Sequence, residues 1–107
     1  NEPEKTLAEL MVNDNIKSFQ RDFLANHGIY LEFTHDALDT IQEKAKAARK
    51  SIRRICEDLF HDYPYGIRLM KMEQFTIEKE AVENPSDYLD RYIRQVISSQ
   101  KETPAQG

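Results

Sequence analysis

Apolar residues recur at helical spacing along most of the chain, and the places where that spacing fails divide it into elements. From Thr6 a helical pattern begins, with Leu7, Leu10 and Met11 on one face. Asn13-Asp14-Asn15 is poor helix interior and interrupts it, before Ile16, Phe19, Phe23 and Leu24 resume the pattern. His27-Gly28 supplies a stop, with glycine at the left-handed position that ends many helices. The spacing therefore predicts one broken helix or two consecutive ones.

Ile29-Tyr30-Leu31-Glu32-Phe33 alternates apolar and polar and is rich in strand-favouring types, so it reads as a short strand. Thr34 is placed to cap a helix whose buried face is Ala37, Leu38, Ile41, Ala45 and Ala48. A further helix starts near Ser51 and carries Ile52, Ile55, Cys56, Leu59, Phe60 and Tyr63 along one stripe, with Pro64 and Gly66 punctuating its end. Gln74-Phe75-Thr76-Ile77 is a second candidate strand. Asn84-Pro85 reads as a helix start, opening a stripe of Tyr88, Leu89, Tyr92, Ile93, Val96 and Ile97. Residues 1–4 read as extended around Pro3, and residues 98–107 as a polar tail that frays.

Two short strands do not form a stable sheet in water without helices covering them. The predicted architecture is α+β and mostly helical, with four or five helices packed on a small two- or three-stranded sheet. A strand, two helices and a return strand favour parallel pairing. At 107 residues the chain reads as one domain, residues 1–98, followed by a flexible polar tail at 99–107. A chain of that length buries roughly two thirds of its unfolded surface, enough for a modest core.

Composition narrows the function classes. A hydrophobic share of 39% beside a charged share of 32% suits short amphipathic helices with charged outer faces, or a piece that packs on something larger. The net charge of −4 argues against a dedicated nucleic-acid binder. One cysteine, Cys56, builds neither a disulfide framework nor a cysteine zinc site, which suits a reducing, cytoplasmic setting. No apolar run approaches the roughly 18 residues of a membrane span, and nothing is expected to insert in a membrane.

No catalytic constellation has useful spacing. A phosphate-cradling Gly-x-x-x-x-Gly-Lys-Ser/Thr loop is absent from these residues, as is a strand-ending acidic run that would hold Mg²⁺. His27, His35 and His61 lack zinc-ligand spacing and read first as surface or capping residues. Cys56, on an apolar stripe, reads as an inert core thiol. Tyr63, Tyr65, Tyr88 and Tyr92 recur at helical spacing and suit core or interface contacts better than base stacking. The unusual feature is the basic cluster Lys44, Lys46, Arg49, Lys50, Arg53 and Arg54, across the junction of two predicted helices. It is either a solvated face balanced by Glu43, Glu57 and Asp58 or a phosphate-facing site. A helix start attracts anions through its free N–H groups and dipole, which singles out Arg49 and Lys50 just before Ser51.

At this junction the chain resembles the C-terminal small domain, the lid, of ClpX-type AAA+ ATPases. Gly28-Ile29-Tyr30-Leu31-Glu32-Phe33-Thr34-His35-Asp36-Ala37-Leu38-Asp39-Thr40-Ile41 is similar to the family's Gly-Val-x-Leu-Glu-Phe-x-x-Glu-Ala-Leu-x-x-Ile segment. Ser51-Ile52-Arg53-Arg54-Ile55-Cys56-Glu57 resembles its Gly-Leu-Arg-Ser-Ile-Val-Glu, and Glu2-Pro3-Glu4-Lys5-Thr6-Leu7 its Glu-Pro-x-x-x-Leu passage into the lid. The likeness is good over residues 28–60. It departs by an insertion between Leu7 and Leu31, by a loose match after Pro64, and by Ala48-Arg49-Lys50-Ser51-Ile52-Arg53 where the family has Gly-x-Arg-Gly-Leu-Arg.

The resemblance implies a lid that closes over ATP and couples its hydrolysis to motion between subunits, for protein unfolding or remodelling. Lys50 would stand at the sensor-2 arginine position, with Arg49 a substitute one residue away. ATP and Mg²⁺ would be held by the parent protein and neither by this fragment alone, which would catalyse nothing. Its partners would be an upstream large domain, the neighbouring subunits of a ring, hexameric by analogy, and a protein substrate. The alternative from the residues themselves is a stand-alone helical module that offers the basic cluster at 44–54 to an acidic partner or a nucleic acid.

Overall fold

The first helix, α1 (Leu7–His27), runs unbroken through Asn13-Asp14-Asn15, because Ile16, Phe19 and Phe23 on one face are buried and their contacts override the weak local propensity. The computed structural model describes residues 7–102. The expected Glu2-Pro3 passage into the first helix and the side chains of Leu7 and Met11 lie outside the described residues. Leu24, expected on the apolar face, points outward and is half exposed, and Gly28 ends the helix with φ 70°.

The chain then follows the order β1 (Tyr30–Phe33), α2 (His35–Ala48), α3 (Ile52–Leu59), α4 (Tyr63–Leu69), β2 (Gln74–Ile77), α5 (Lys79–Glu83) and α6 (Pro85–Glu102). Thr34 caps α2, its hydroxyl accepting the Ala37 N–H at 3.2 Å, and Ser51 caps α3, accepting the Arg54 N–H at 3.0 Å. The two strands pair in parallel, Leu31 opposite Phe75 and Phe33 opposite Ile77. The fold is thus mostly helical on a small two-stranded sheet, as the patterning predicts, with six helices among the described residues.

Four further expectations change. The stripe from Ser51 divides after Leu59, and Tyr63 opens a separate helix with Pro64 in its first turn, where the missing N–H costs nothing. Helix α5 is additional, a single short turn that buries Ala81 and Val82 completely. Ala48, expected inside, is exposed at the end of α2, where Thr40 is buried instead and donates to the Asp36 carbonyl at 3.0 Å. Helix α6 continues through Glu102, past the start of the expected tail, and residues 103–107 lie outside the described ones.

The core runs from the inner face of α1 across the sheet to α6. Phe19, Phe60, Tyr63 and Phe75 form an aromatic chain through it, with ring centroids 6.5, 5.0 and 5.8 Å apart in turn. Tyr92 closes on Phe75 at 4.8 Å, so Tyr63, Tyr88 and Tyr92 serve the core while Tyr65 stands in solvent. The Tyr63 hydroxyl donates to the Pro85 carbonyl at 2.8 Å and ties α4 to the start of α6. Gln20 of α1 donates to the Leu31 carbonyl at 2.7 Å, so a side chain satisfies the β1 edge that β2 leaves open. Among the described residues no helix is long and apolar enough to cross a membrane.

Candidate functional site

The basic cluster sits where α2 turns into α3, and the turn is made by Arg49 in the left-handed conformation, φ 58° and ψ 44°. The Lys50 N–H returns to the Ala45 carbonyl at 3.0 Å, the long-range bond of a Schellman ending. That position suits glycine, since an L side chain there costs about 1 kcal/mol. Replacing Arg49 by glycine is therefore expected to raise stability by about 0.5–1 kcal/mol, the relief of strain being partly offset by the looser unfolded chain. Thermal unfolding of Arg49→Gly beside the parent chain checks this; a destabilised variant would show that the side chain itself supports the fold.

The structure sorts the six cations. Arg53 lies along α3 and is fully engaged: its Nε donates to Glu57 at 3.0 Å, Nη1 to Ser18 at 2.7 Å and Nη2 to Asp22 at 2.5 Å. These bonds, the one to Asp22 foremost, raise its pKa further, and they clamp α3 to α1. Arg54 pairs with Asp58 at 3.2 Å, and Lys50 reaches the other oxygen of the same carboxylate at 3.0 Å. The Lys50 hydrogen bond holds the Asp58 carboxyl below its ordinary range, with the charges of Lys50 and Arg54 adding to it. Lys44, Lys46 and Arg49 make no ion pair among the described residues. Part of the cluster is therefore a balanced face, through Glu57 and Asp58 but not Glu43, and part is unneutralised.

Beside the junction lies a groove of about 280 Å³ between α1 and the α2–α3 turn. Val12, Ala45 and Ile52 floor it, and Gln42, Lys46, Lys50 and Ser51 stand at its rim. The groove thus offers an apolar floor beside amide, hydroxyl and ammonium groups. Both sequence-predicted site residues, Arg49 and Lys50, are exposed, and they differ: Lys50 lines the groove and is engaged by Asp58, whereas Arg49 is outside its lining and makes no ion pair among the described residues.

Other candidates stand apart. The one set of side chains among the described residues close enough to share a metal ion is His35, Asp36 and Asp39, all exposed at the far end of α2, about 20 Å away by helix rise. His27 is held below its ordinary pKa by burial and then by Arg68, and packs edge-on against Phe23 at 4.8 Å, a structural role. His61 bonds the Asp58 carbonyl near the end of α3. Cys56 is fully buried and its thiol is pushed up to about 12 by that burial, as expected of a core residue.

Asp58 as the shared counterion of Lys50 and Arg54 escapes sequence reading. Its pairing with Arg54 has the visible spacing of four, but Lys50 is eight residues away and reaches it only because of the turn at Arg49. The ties from Arg53 to Ser18 and Asp22 span 35 and 31 residues and leave no local signal. Comparison of the chain with protein-family models, with curated proteins and with solved structures finds no match.

Proposed function

We propose that this chain is the C-terminal lid of a cytoplasmic AAA+ ATPase of the ClpX type, with Arg49 and Lys50 facing nucleotide phosphate. The observation that carries the reading is the junction itself. An arginine occupies a left-handed position that favours glycine, without an ion pair, beside a groove with an apolar floor and a lysine rim. Lys71, after α4, shares the left-handed conformation at φ 59°, so it is the groove and the second cation beside Arg49 that set this junction apart.

In this role ATP and Mg²⁺ are held chiefly by a large domain outside these residues, which supplies the hydrolytic chemistry. The lid's residues bind and orient: Lys46, Lys50 and Arg49 offer positive charge to phosphate, and Val12, Ala45 and Ile52 offer an apolar surface to the base. The rigid clamp of α3 on α1 through Arg53 suits a body that moves as a unit between subunits of a hexameric ring, remodelling or unfolding a protein substrate. The unneutralised Lys44, Lys46 and Arg49 would equally suit a stand-alone module for an acidic partner or a nucleic acid.

Two measurements test the proposal together. The 107-residue chain alone should bind ATP with a Kd of about 1 mM or weaker in calorimetric titration with Mg²⁺, about 4 kcal/mol at most. The full-length polypeptide should turn ATP over. Micromolar binding by the isolated chain, or a full-length protein with no upstream phosphate-binding loop and no turnover, would sink the lid reading.

A further inference from the structure

We infer that Asp58 parks Lys50 and so sets how tightly the α2–α3 junction holds phosphate. The inference rests on the phosphate-facing reading of that junction and names the residue that regulates it. One carboxylate holds two cations here, Lys50 Nζ at 3.0 Å on one oxygen and Arg54 Nε at 3.2 Å on the other. Lys50 enters from before the cap residue Ser51 and is drawn along α3 to Asp58, near the end of the helix, rather than left over the N–H groups at its start. An anion arriving at the junction meets Arg49 and Lys46 free, but it must compete with Asp58 for Lys50.

The size of that competition follows from exposure. The Lys50 and Asp58 side chains are 45% and 42% exposed, and ion pairs in such surroundings are weak. The pair is strong enough to bias where the ammonium rests and weak enough for a multiply charged phosphate to break. Asp58 is thus a positioning residue: it acts through Lys50 and does not itself touch the anion. Asp58→Asn keeps the shape, removes the charge and releases the lysine.

The test uses the 107-residue chain with inorganic tripolyphosphate as the probe, followed through the backbone amide signals of residues 49–51 in nuclear magnetic resonance titrations. Asp58→Asn is expected to tighten binding by about two- to five-fold, the range that an exposed pair can contribute. In a Lys50→Ala background the same substitution should bring no gain, which separates release of the lysine from a general change of field. Equal affinity with and without Asp58, no shifts at residues 49–51 in either form, or an undiminished gain without Lys50 would each overturn the inference. The lid reading fails separately: tighter polyphosphate binding by Asp58→Asn beside a full-length protein without ATPase activity would leave the parking role standing and remove the ATPase.

Discussion

Leu31→Ala should lower stability by about 2–5 kcal/mol, the usual cost of cutting a fully buried large side chain back to alanine. Leu31 is completely buried on β1, directly opposite Phe75 of β2, with Gln20 of α1 bonded to its carbonyl. Among the described residues the sheet has two strands, so no third strand takes up the loss, and a pair of short strands holds only through the helices on it. Tyr30, one residue back on the same strand, is 40% exposed on the opposite face. Tyr30→Ala should cost far less, within the range of about 0.5 kcal/mol typical of surface changes. Urea unfolding of the two variants beside the parent chain reads both values. A loss below about 0.5 kcal/mol for Leu31→Ala would mean that this pairing is not what anchors the core.

That pair was legible because strand alternation is a local property: Tyr30, Leu31, Glu32 and Phe33 declare their faces without knowledge of the rest of the chain. The cap Thr34 and the helix start near Ser51 were legible for the same reason, a hydroxyl just ahead of an apolar stripe; that Ser51 itself accepts the Arg54 N–H is seen in the structure. What failed depended on contacts across the fold. Asn13-Asp14-Asn15 looks like a break until Ile16 and Phe19 are seen buried on the sheet side of one continuous helix. Pro64 looks like a stop after the stripe of α3, yet proline is equally suited to the first turn of a helix, and the burial of Tyr63 and Ile67 selects that reading. Helix α5 is too short to show a period, since its buried pair Ala81 and Val82 is adjacent in sequence. At the site, the pairing of Arg53 with Glu57 followed from spacing, whereas the left-handed turn at Arg49 and the reach of Lys50 to Asp58 exist only once α2 and α3 are folded on one another.

On the proposed reading, alanine at both Arg49 and Lys50 in the full-length protein should cut ATP turnover ten-fold or more, the effect of removing charge that stabilises a transferring phosphoryl group. The expectation is sharpened by how differently the neighbouring cations are held. Arg53 is clamped by Ser18, Asp22 and Glu57, and Arg54 is paired with Asp58, so both are occupied within the chain. Arg49 carries no ion pair among the described residues, and Lys50 carries one weak, exposed pair. Arg49→Ala alone should therefore show the larger part of the loss, and Lys50→Ala the smaller, because the lysine must first leave Asp58. Arginine also presents a planar fork to phosphate where lysine presents a point charge. Neither change should unfold the domain, since both side chains are exposed, and Arg49→Ala leaves the αL turn no more strained than before. Lys44→Ala, which removes a half-buried charge without an ion pair among the described residues farther back on α2, is the control for a general loss of positive field. Steady-state ATP turnover of the four variants, each checked for an unchanged unfolding midpoint, decides the matter. A double variant that turns over like Lys44→Ala would mean that this junction does not sense nucleotide and that its three unneutralised cations form a solvated face.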